Sequence, residues 1–359
     1  MNSTESNLLQ QLLEGKTPRD LGFHFPAEWE PHEATWLSWP HKEESWPGKL
    51  HQIYKTYLDF VRELTRGEKV HINVNDEKMR HQLQELLAKH DVNESQVQLH
   101  LHPTNDAWCR DHGPAFLVNK KTKQKIILDW GYNAWGEKYP PFDLDDDVPS
   151  LIGESLKLPV IKPGIVMEGG SVDFNGEGLV LTTTQCLLNQ NRNPHLNQNQ
   201  IEQYLKDFYG VSEVLWLEEG IEGDDTDGHI DDISRFFSAR GVLTVIEDDR
   251  SDANYTALKK NYETLQKMKL QDGSSLEVIE LPMPDPVIYD GTRLPASYAN
   301  FYISNSSVIV PTYRCQADQK AIDIISKSFP DRQVIGIDSV DIVWGLGSFH
   351  CLSQQEPKC

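Results

Sequence analysis

A cysteine near the end of the chain has the sequence context of a reactive thiol. Cys351 follows His350 and a glycine-containing turn at 345–347. A thiol becomes a nucleophile when a neighbouring cation, helix terminus or base favours its thiolate. The glycines would let the backbone bring a substrate close. The alternative is an inert buried thiol, which is our expectation for Cys186 and Cys315.

A second candidate is the pair His229 and Asp231, within the acidic stretch 224–232. If a strand begins here, alternation places both side chains on one face. An imidazole that titrates near neutrality can protonate a leaving group and then deprotonate water. A metal site and a solvated acidic loop are the alternatives. A divalent ion usually takes more histidines or an EF-hand spacing, and the sequence has neither around His229.

Two further carboxylates occur at glycine-containing turns that lead into predicted hairpins. Asp111 lies in a Arg-Asp-His-Gly-Pro stretch, and Glu168 precedes Gly169 and Gly170. Loops on a rigid scaffold often carry function, and paired carboxylates suit a planar guanidinium. Each acid alone is equally consistent with a salt bridge or a turn cap. Together with a thiol and an imidazole, they predict attack on a guanidinium carbon.

The elements that would position these residues recur along the chain. Hairpins with polar turns are predicted repeatedly, and helical patterns lie between them. Asp111, Glu168 and His229 are spaced by about sixty residues, which suggests repeated ββαβ-type modules around an axis. The alternative is an ordinary α/β protein with evenly spaced hairpins. The predicted hairpin strands are 115–118 with 125–129, 171–174 with 178–182, 233–237 with 242–246, and 300–303 with 308–310, and the predicted helices are 199–209, 252–268 and 317–328.

The two ends of the chain have their own predicted elements. A strand that ends at Pro40 would deliver Trp39 and His41 to a rim. A buried strand at 333–338 and an apolar segment at 341–344 would hold Cys351 in place. We also expect helices at 51–65 and 76–90, a strand at 69–74, an ordered Asn/Gln-rich loop at 185–200, and a proline-rich loop over the surface or the site at 282–295.

Composition narrows the class of protein. The net charge of −21 argues against nucleic-acid binding and permits attraction of a cationic substrate. Five cysteines without CxxC spacing argue against a disulfide framework or a structural zinc site. The sequence contains no apolar run long enough for a membrane helix and no basic N-terminal leader, so we expect a cytoplasmic protein. Homo-oligomerisation is left open.

Several long motifs, in order along the chain, resemble the agmatine deiminase family of the guanidine-modifying (pentein) superfamily. They are PAEWEPHEATWLSWPH, NDAWCRDHGPAF, EGGSVDFNGEG, CLLNQNRNP, DDTDGHIDD, LPASYANFYISN and HCLSQQEP. The resemblance implies an α/β fold, a five-bladed α/β propeller with pseudo-fivefold symmetry of ββαβ-type modules. It implies one catalytic domain over 1–359, whose first twenty residues, 1–20, are a helical extension.

The resemblance also implies roles for the candidate residues. Cys351 would be the nucleophile, His229 the general acid and base, and Asp111, Glu168 and Asp231 the carboxylates around the guanidinium. Agmatine would be hydrolysed to N-carbamoylputrescine and ammonia through an amidino-cysteine intermediate, in arginine and polyamine metabolism, without a metal or organic cofactor. One departure concerns the turn before His350: the family's usual three glycines are Gly-Leu-Gly here, and Leu346 disfavours a positive φ.

The identity of the substrate is less constrained by the sequence. The distal ammonium of agmatine needs an acid or an aromatic wall, for which the candidates are Trp39, Trp108, Asp224 and Asp225. A free-arginine enzyme would need an arginine for the substrate carboxylate, and Arg110 and Arg192 are available. A bacterial-type peptidyl-arginine deiminase is the nearest alternative function, and an acidic metal-binding protein is the alternative that is not an enzyme.

Overall fold

The computed structural model describes residues 10–12 and 14–359, so half of the helical extension expected at 1–20 lies outside the described residues. The fold is mixed α/β, and one strand pattern recurs in it. In four sheets, two antiparallel strands are followed by a third that runs parallel to the second. These sheets are Ala115–Asn119, Gln124–Leu128 and Val160–Ile161; Val172–Phe174, Leu179–Thr183 and Glu213–Leu217; Ser234–Phe236, Gly241–Ile246 and Glu277–Pro282; and Tyr302–Ile303, Ser307–Thr312 and Gln333–Asp338.

A helix connects the second and third strand of each of these sheets, as a parallel crossover requires. Each sheet with its helix is a ββαβ-type module, so the predicted repeating unit is confirmed. The predicted hairpins and helices are all present, with boundaries that differ by at most three residues. The four crossover helices are Asp143–Leu156, Gln198–Tyr209, Tyr255–Lys267 and Ala317–Ser328.

The fifth sheet joins the two ends of the chain. Its strand order is Ser353–Pro357, His32–Ser38, Lys69–Val74 and Val97–Leu101, with the first pair antiparallel and the others parallel. The C-terminal strand was not predicted. It begins two residues after Cys351 and is paired along its length with an N-terminal strand, so the thiol is anchored although it lies close to the chain end.

Amphipathic helices cover these sheets. Helix Leu50–Leu64 buries apolar side chains at three- and four-residue intervals, among them Ile53, Tyr57, Phe60 and Leu64. Full burial of such a side chain contributes about 1.5–3 kcal/mol. The second helix of this region is Glu77–Lys89, which begins at an Asp76 cap whose carboxylate accepts a hydrogen bond from the Met79 amide.

The two segments with unusual composition are ordered. In the Asn/Gln-rich tract, Asn197 and Gln200 form a reciprocal capping box at the start of helix Gln198–Tyr209. In the proline-rich segment 282–295, Ile288–Tyr289 and Thr292–Arg293 form a two-stranded sheet, which differs from the expected loop. The Tyr289 ring lies 3.7 Å from the Trp344 ring between centroids.

Short helical turns precede several of the first strands of the modules. These turns carry candidate site residues, and the sheets behind them hold their positions. They are Cys109–His112, Gly169–Ser171 and Ile230–Asp232, and the remaining short helices are Glu94–Gln96, Ala134–Glu137, Thr184–Leu187 and Ile342–Gly345. Within 10–12 and 14–359, no helix combines the length and the apolar character that crossing a bilayer requires.

Candidate active site

The candidate acids and the histidine lie where three modules begin. Asp111 is in the helical turn Cys109–His112, Glu168 directly precedes the turn Gly169–Ser171, and His229 precedes the turn Ile230–Asp232. The condition that a strand begins at His229 is not met, because the strand begins at Ser234, within the predicted range 233–237. A 3₁₀ turn, and not strand alternation, sets the directions of His229 and Asp231.

Three of these side chains meet at Gly170. A Cβ atom at Gly170 would lie 2.5 Å from His229 Nδ1, 2.8 Å from Asp111 Oδ1 and 3.1 Å from Asp231 Oδ2. Asp111 Oδ1 accepts a hydrogen bond from the Gly170 amide over 2.9 Å and lies 3.7 Å from His229 Nδ1. Residues from three modules therefore converge at one point, and only a glycine leaves room for them.

The Cys351 thiol lies beside the same group. Its sulfur is 3.5 Å from Asp231 Oδ2 and 3.0 Å from Asn300 Nδ2, and the residue is 4% exposed. Asn300 Oδ1 accepts hydrogen bonds from the amides of His350 and Cys351. The Asn300 side chain thus fixes both the backbone and the sulfur of the cysteine.

The acids around the thiol differ in protonation. Burial and then the carboxylates of Asp231 and Asp232 raise the pKa of the Cys351 thiol well above its usual value. Burial and Asp231 also raise the pKa of Asp232. Burial opposes ionisation of Asp231, but the hydrogen bond and charge of His350, together with the charges of His229 and Arg235, outweigh burial and lower the Asp231 pKa. The surroundings therefore favour the thiol form of Cys351, the ionised form of Asp231 and the protonated form of Asp232.

The surroundings of His229 favour its protonated form. Burial disfavours the imidazolium, but the neighbouring Asp111, Cys186 and Glu168 outweigh burial and hold the His229 pKa well above its usual value. Burial raises the pKa of Asp111 to about 6, against the opposing effect of His229. Neither His229 ring nitrogen has a hydrogen-bond partner within the described part of the chain, so both are available to a substrate or water.

Glu168 is held on one side only. Its Oε1 atom accepts a hydrogen bond from Arg192 Nε over 2.7 Å in a completely buried ion pair. Its Oε2 atom is buried and has no partner among the residues that the structure describes. An unpaired carboxylate oxygen in the interior is costly, and a bound cation would satisfy it.

A cavity of about 170 Å³ opens onto this group. Asp111 and Cys351 line it, whereas Glu168, His229 and Asp231 are completely buried. Its lining includes four acidic residues, Glu44, Asp106, Asp111 and Asp225, and one lysine, Lys42. The other lining residues are Ser45, Trp108, Trp135, Tyr139, Thr226, Trp344, Gly345, Leu346, Gly347 and Cys351. The cavity therefore favours cations.

Residues 24–357 match the family model of the Porphyromonas-type peptidyl-arginine deiminases. The chain belongs to this family. The match covers every module and all the residues described above.

Individual deiminases align over almost the whole chain. A Legionella pneumophila (strain Paris) protein named "Putative agmatine deiminase" is 37% identical over 343 residues, which are 95% of this chain and 97% of that protein. The structure of the agmatine deiminase of Enterococcus faecalis has a TM-score of 0.88 and 33% identity, covering 96% of this chain and 98% of its own. A substrate-bound agmatine deiminase of C. jejuni has a TM-score of 0.85 and 35% identity, covering 94% and 96%.

The deiminase cavity contains two of the four residues predicted to bind the distal end of the substrate. Trp108 and Asp225 line it. Trp39 lies outside the lining and packs against the rings of Tyr54 and Tyr57, so its expected position at a rim is wrong. Asp224 also lies outside the lining.

Asp224 has a structural position in the turn before His229. Its carboxylate accepts hydrogen bonds from the amides of Thr226, Gly228 and His229. The sequence did not reveal this role, because a turn-forming aspartate and a substrate-facing aspartate cannot be told apart within the acidic stretch 224–232.

Neither arginine proposed for a substrate carboxylate faces the cavity. Arg110 donates hydrogen bonds to Glu28 Oε2 and Gln355 Oε1. Arg192 pairs with Glu168 and Asp227. Both guanidinium groups are therefore paired with side chains of the protein itself.

Sequence analysis missed several residues of this deiminase site. Glu28, Asn300 and His350 are buried and bonded to the group around the thiol, and Gly170 makes room for it. All four fall inside the motifs that carried the resemblance, so the signal was present. Their partners lie tens to hundreds of residues away, which no local pattern reveals.

Two sets of donor atoms are close enough to share a metal ion, each within 4.8 Å: Glu168 with Cys186 and His229, and Asp231 with Asp232 and Cys351. Both sets are parts of the site already described, and proximity alone does not establish a metal centre. Cys186 is buried, as expected, but lies beside His229 rather than in a purely apolar environment.

The Gly-Leu-Gly turn has an unusual backbone. Leu346 has a φ of 72° in the left-handed region, where a leucine is disfavoured, and its side chain lines the cavity. A Cβ at Gly345 would contact Trp46 and Trp108, and one at Gly347 would contact Trp108 and the Cys351 side chain. The turn therefore keeps the shape that three glycines would allow and adds one apolar side chain to the cavity wall.

Proposed function

We propose that this protein hydrolyses agmatine to N-carbamoylputrescine and ammonia, with Cys351 as the nucleophile. The observation that carries the proposal is the convergence of a thiol, an imidazole and several carboxylates at one buried point beside an acidic cavity. The relatives support the same substrate, since two of those with solved structures are agmatine deiminases.

In the proposed first half-reaction, the carboxylates of Asp111, Glu168 and Asp231 bind the guanidinium and orient its carbon over the Cys351 sulfur. The arriving cation favours transfer of the thiol proton to solvent water, which the neighbouring acids otherwise oppose. The sulfur attacks the carbon to give a tetrahedral adduct. His229 donates its proton to the departing nitrogen, the carbon–nitrogen bond breaks, and ammonia leaves.

In the second half-reaction, water attacks the amidino carbon that is bound to the sulfur. His229, now neutral, takes the proton of this water. The carbon–sulfur bond then breaks, and the ureido product is released with the thiol restored. One side chain thus acts as acid and then as base, for which an imidazole beside Asp111 is suited.

The cavity favours a diamine-derived substrate over free arginine. The acids Glu44, Asp106 and Asp225 lie on its lining with only Lys42 opposite in charge, and the carboxyl of Asp225 accepts a hydrogen bond from Tyr139. A distal ammonium would be attracted here, and an α-carboxylate would be repelled. Arg110 and Arg192 are paired elsewhere, which argues further against a carboxylate subsite.

We further propose that the four ββαβ-type modules and the fifth sheet with its helices surround a pseudo-fivefold axis as a five-bladed propeller, forming one domain over 1–359. The convergence of turns from different modules at Gly170 supports this arrangement. The five cysteines are free, which suits a reducing compartment such as the cytoplasm. Catalysis is proposed without a metal or an organic cofactor.

Ammonia release from agmatine, free arginine and an arginyl peptide, assayed side by side, tests the function. We expect release from agmatine, a product in which one =NH has become =O, and no release by Cys351→Ala. Ammonia release mainly from the peptide would support the proposed mechanism but show that the substrate is a peptidyl-arginine rather than agmatine. No release from any of the three would contradict the proposal and favour the acidic binding protein.

A further inference from the structure

His350 lies between two buried carboxylates. Its Nδ1 atom is 2.6 Å from Asp231 Oδ2, and its Nε2 atom is 2.9 Å from Glu28 Oε2. The side chain is buried, and the next residue along the chain is Cys351. Sequence analysis gave His350 no role, and the proposed reaction steps do not use it.

The contacts define the protonation of this imidazole. An ionised carboxylate only accepts hydrogen bonds, so each ring nitrogen that faces one must carry a hydrogen. Burial opposes ionisation of Glu28, but Arg235, His350 and Arg110 outweigh it and lower the Glu28 pKa well below its usual value. With Asp231 ionised as well, both ring nitrogens donate, and His350 is an imidazolium.

The same carboxylate oxygen links His350 to the thiol. Asp231 Oδ2 accepts the hydrogen bond from His350 and lies 3.5 Å from the Cys351 sulfur. Glu28 in turn is fixed by ion pairs with Arg110 and Arg235, at 3.1 and 3.0 Å. The row Glu28, His350, Asp231 therefore runs from a rigid buried ion cluster to the reacting sulfur.

We propose that His350, as an imidazolium held by Glu28, is the positioning residue that fixes the Asp231 carboxylate beside the Cys351 sulfur. The proposal deepens the proposed function, since it takes Cys351 as the nucleophile, but it does not depend on which guanidino compound is the substrate. His350 itself is not expected to touch the substrate.

Two variants separate the contacts of the ring. His350→Asn keeps an amide donor near the Nδ1 position, toward Asp231, and His350→Gln keeps one near Nε2, toward Glu28. We expect His350→Gln to lower kcat for agmatine about 100-fold with little change in KM, and His350→Asn to recover part of the loss. If His350 had a purely structural role, kcat would not be higher in His350→Asn than in His350→Gln.

The second readout is alkylation of Cys351 by iodoacetamide as a function of pH, which needs no substrate. Loss of a cation beside Asp231 should move the midpoint of the His350→Gln profile upward by about one pH unit or more. His102→Asn is the control, because His102 is another buried histidine, and its two ring nitrogens contact Asn73 Oδ1 and Ser155 Oγ, at 2.9 and 2.8 Å, rather than Glu28 or Asp231. It should lose stability and leave the alkylation midpoint unchanged.

A His350→Gln protein with wild-type kcat and an unchanged alkylation midpoint would overturn the proposal. If both variants fail to fold, neutron diffraction from the wild-type protein at pH 8 decides instead. We expect deuterium on both ring nitrogens of His350, and a bare nitrogen facing either carboxylate would overturn it. If the wild-type protein does not act on agmatine, the proposed substrate is refuted. The role of His350 is still tested by the alkylation and neutron measurements, which need no substrate.

Discussion

The Cys351 sulfur lies 3.5 Å from Asp231 Oδ2, so the proposed nucleophile has an ionised carboxylate beside it. A carboxylate at this distance opposes formation of the thiolate. The same carboxylate is well placed to bind a guanidinium. The site therefore holds its thiol protonated until a cation arrives, and the two roles of Asp231 can be separated by mutation.

Asp231→Asn should make Cys351 more reactive and the enzyme less active. Removing the negative charge lowers the thiol pKa, and each unit of decrease raises the thiolate fraction about tenfold. Alkylation of Cys351 at pH 8, measured by peptide mass, should accelerate, while ammonia release from agmatine should fall. The exposed Cys359 is the internal control, whose rate should not change. Equal rates at Cys351 in both proteins would contradict this account of the thiol.

Gly170→Ala should inactivate the enzyme without unfolding it. The added Cβ would come within 2.5 Å of His229 Nδ1 and 2.8 Å of Asp111 Oδ1, so these side chains must move. A displacement of about 1 Å can cost about 100-fold in rate. The measurement is kcat for agmatine alongside the thermal midpoint.

Gly131→Ala is the matched control for that substitution. At Gly131 the nearest atom to an added Cβ is the Ile165 carbonyl oxygen at 3.3 Å. We expect it to keep kcat within about threefold of wild type. If Gly170→Ala were as active as this control, the convergence of His229, Asp111 and Asp231 would not be the catalytic arrangement.

Asp225→Asn should weaken binding of the distal ammonium. A charged hydrogen bond contributes about 1.5–3 kcal/mol, so KM for agmatine should rise about tenfold or more while kcat changes less. Glu222→Gln removes an exposed acid nearby that does not line the cavity, and it should leave KM unchanged. A rise in KM of the same size in both variants would indicate a general effect of charge rather than a subsite.

Acid should destabilise the protein through three stacked histidines, His71, His100 and His102. Their rings lie around Trp36, and burial lowers the pKa of each to about 4. In the unfolded chain these groups titrate near about 6.5. As the pH falls from about 6.5 to 4, the unfolded chain binds protons that the folded protein does not, so the free energy of unfolding decreases.

The corresponding measurement is the urea midpoint at pH 7 and pH 5. His100→Gln should lose less stability on acidification than wild type, because one of the three groups is gone. His81→Gln, at an exposed histidine, should lose as much as wild type. Identical losses for His100→Gln and wild type would show that the stack does not contribute to acid sensitivity.

Much of the module pattern was readable from sequence because it is local. Hairpin turns and helical periodicity located the four hairpins and three of the four crossover helices to within a few residues. The first crossover helix, Asp143–Leu156, and the third strands of the first three modules were not predicted. The C-terminal strand Ser353–Pro357 escaped notice, since its residues Ser-Gln-Gln-Glu-Pro have little strand character. It is a strand because His32–Ser38, over three hundred residues away, pairs with it.

The site was predictable in its chemistry and not in its supporting contacts. Asp111, His229, Asp231 and Cys351 were selected by residue type and context, and the structure brings them together. Trp39 was misplaced because a tryptophan before a proline is as compatible with core packing as with a rim. Glu28 and His350 were missed because a buried ionic network is defined by partners in space.

The most direct test of the central claim is the intact mass of the protein during turnover. When the enzyme is mixed with agmatine and quenched in acid, we predict a species heavier by agmatine less ammonia, with the added mass on the peptide that contains Cys351. The species should be absent from Cys351→Ala. Ammonia release from agmatine with no such adduct at any quench time, or with an adduct on a different cysteine, would contradict the account.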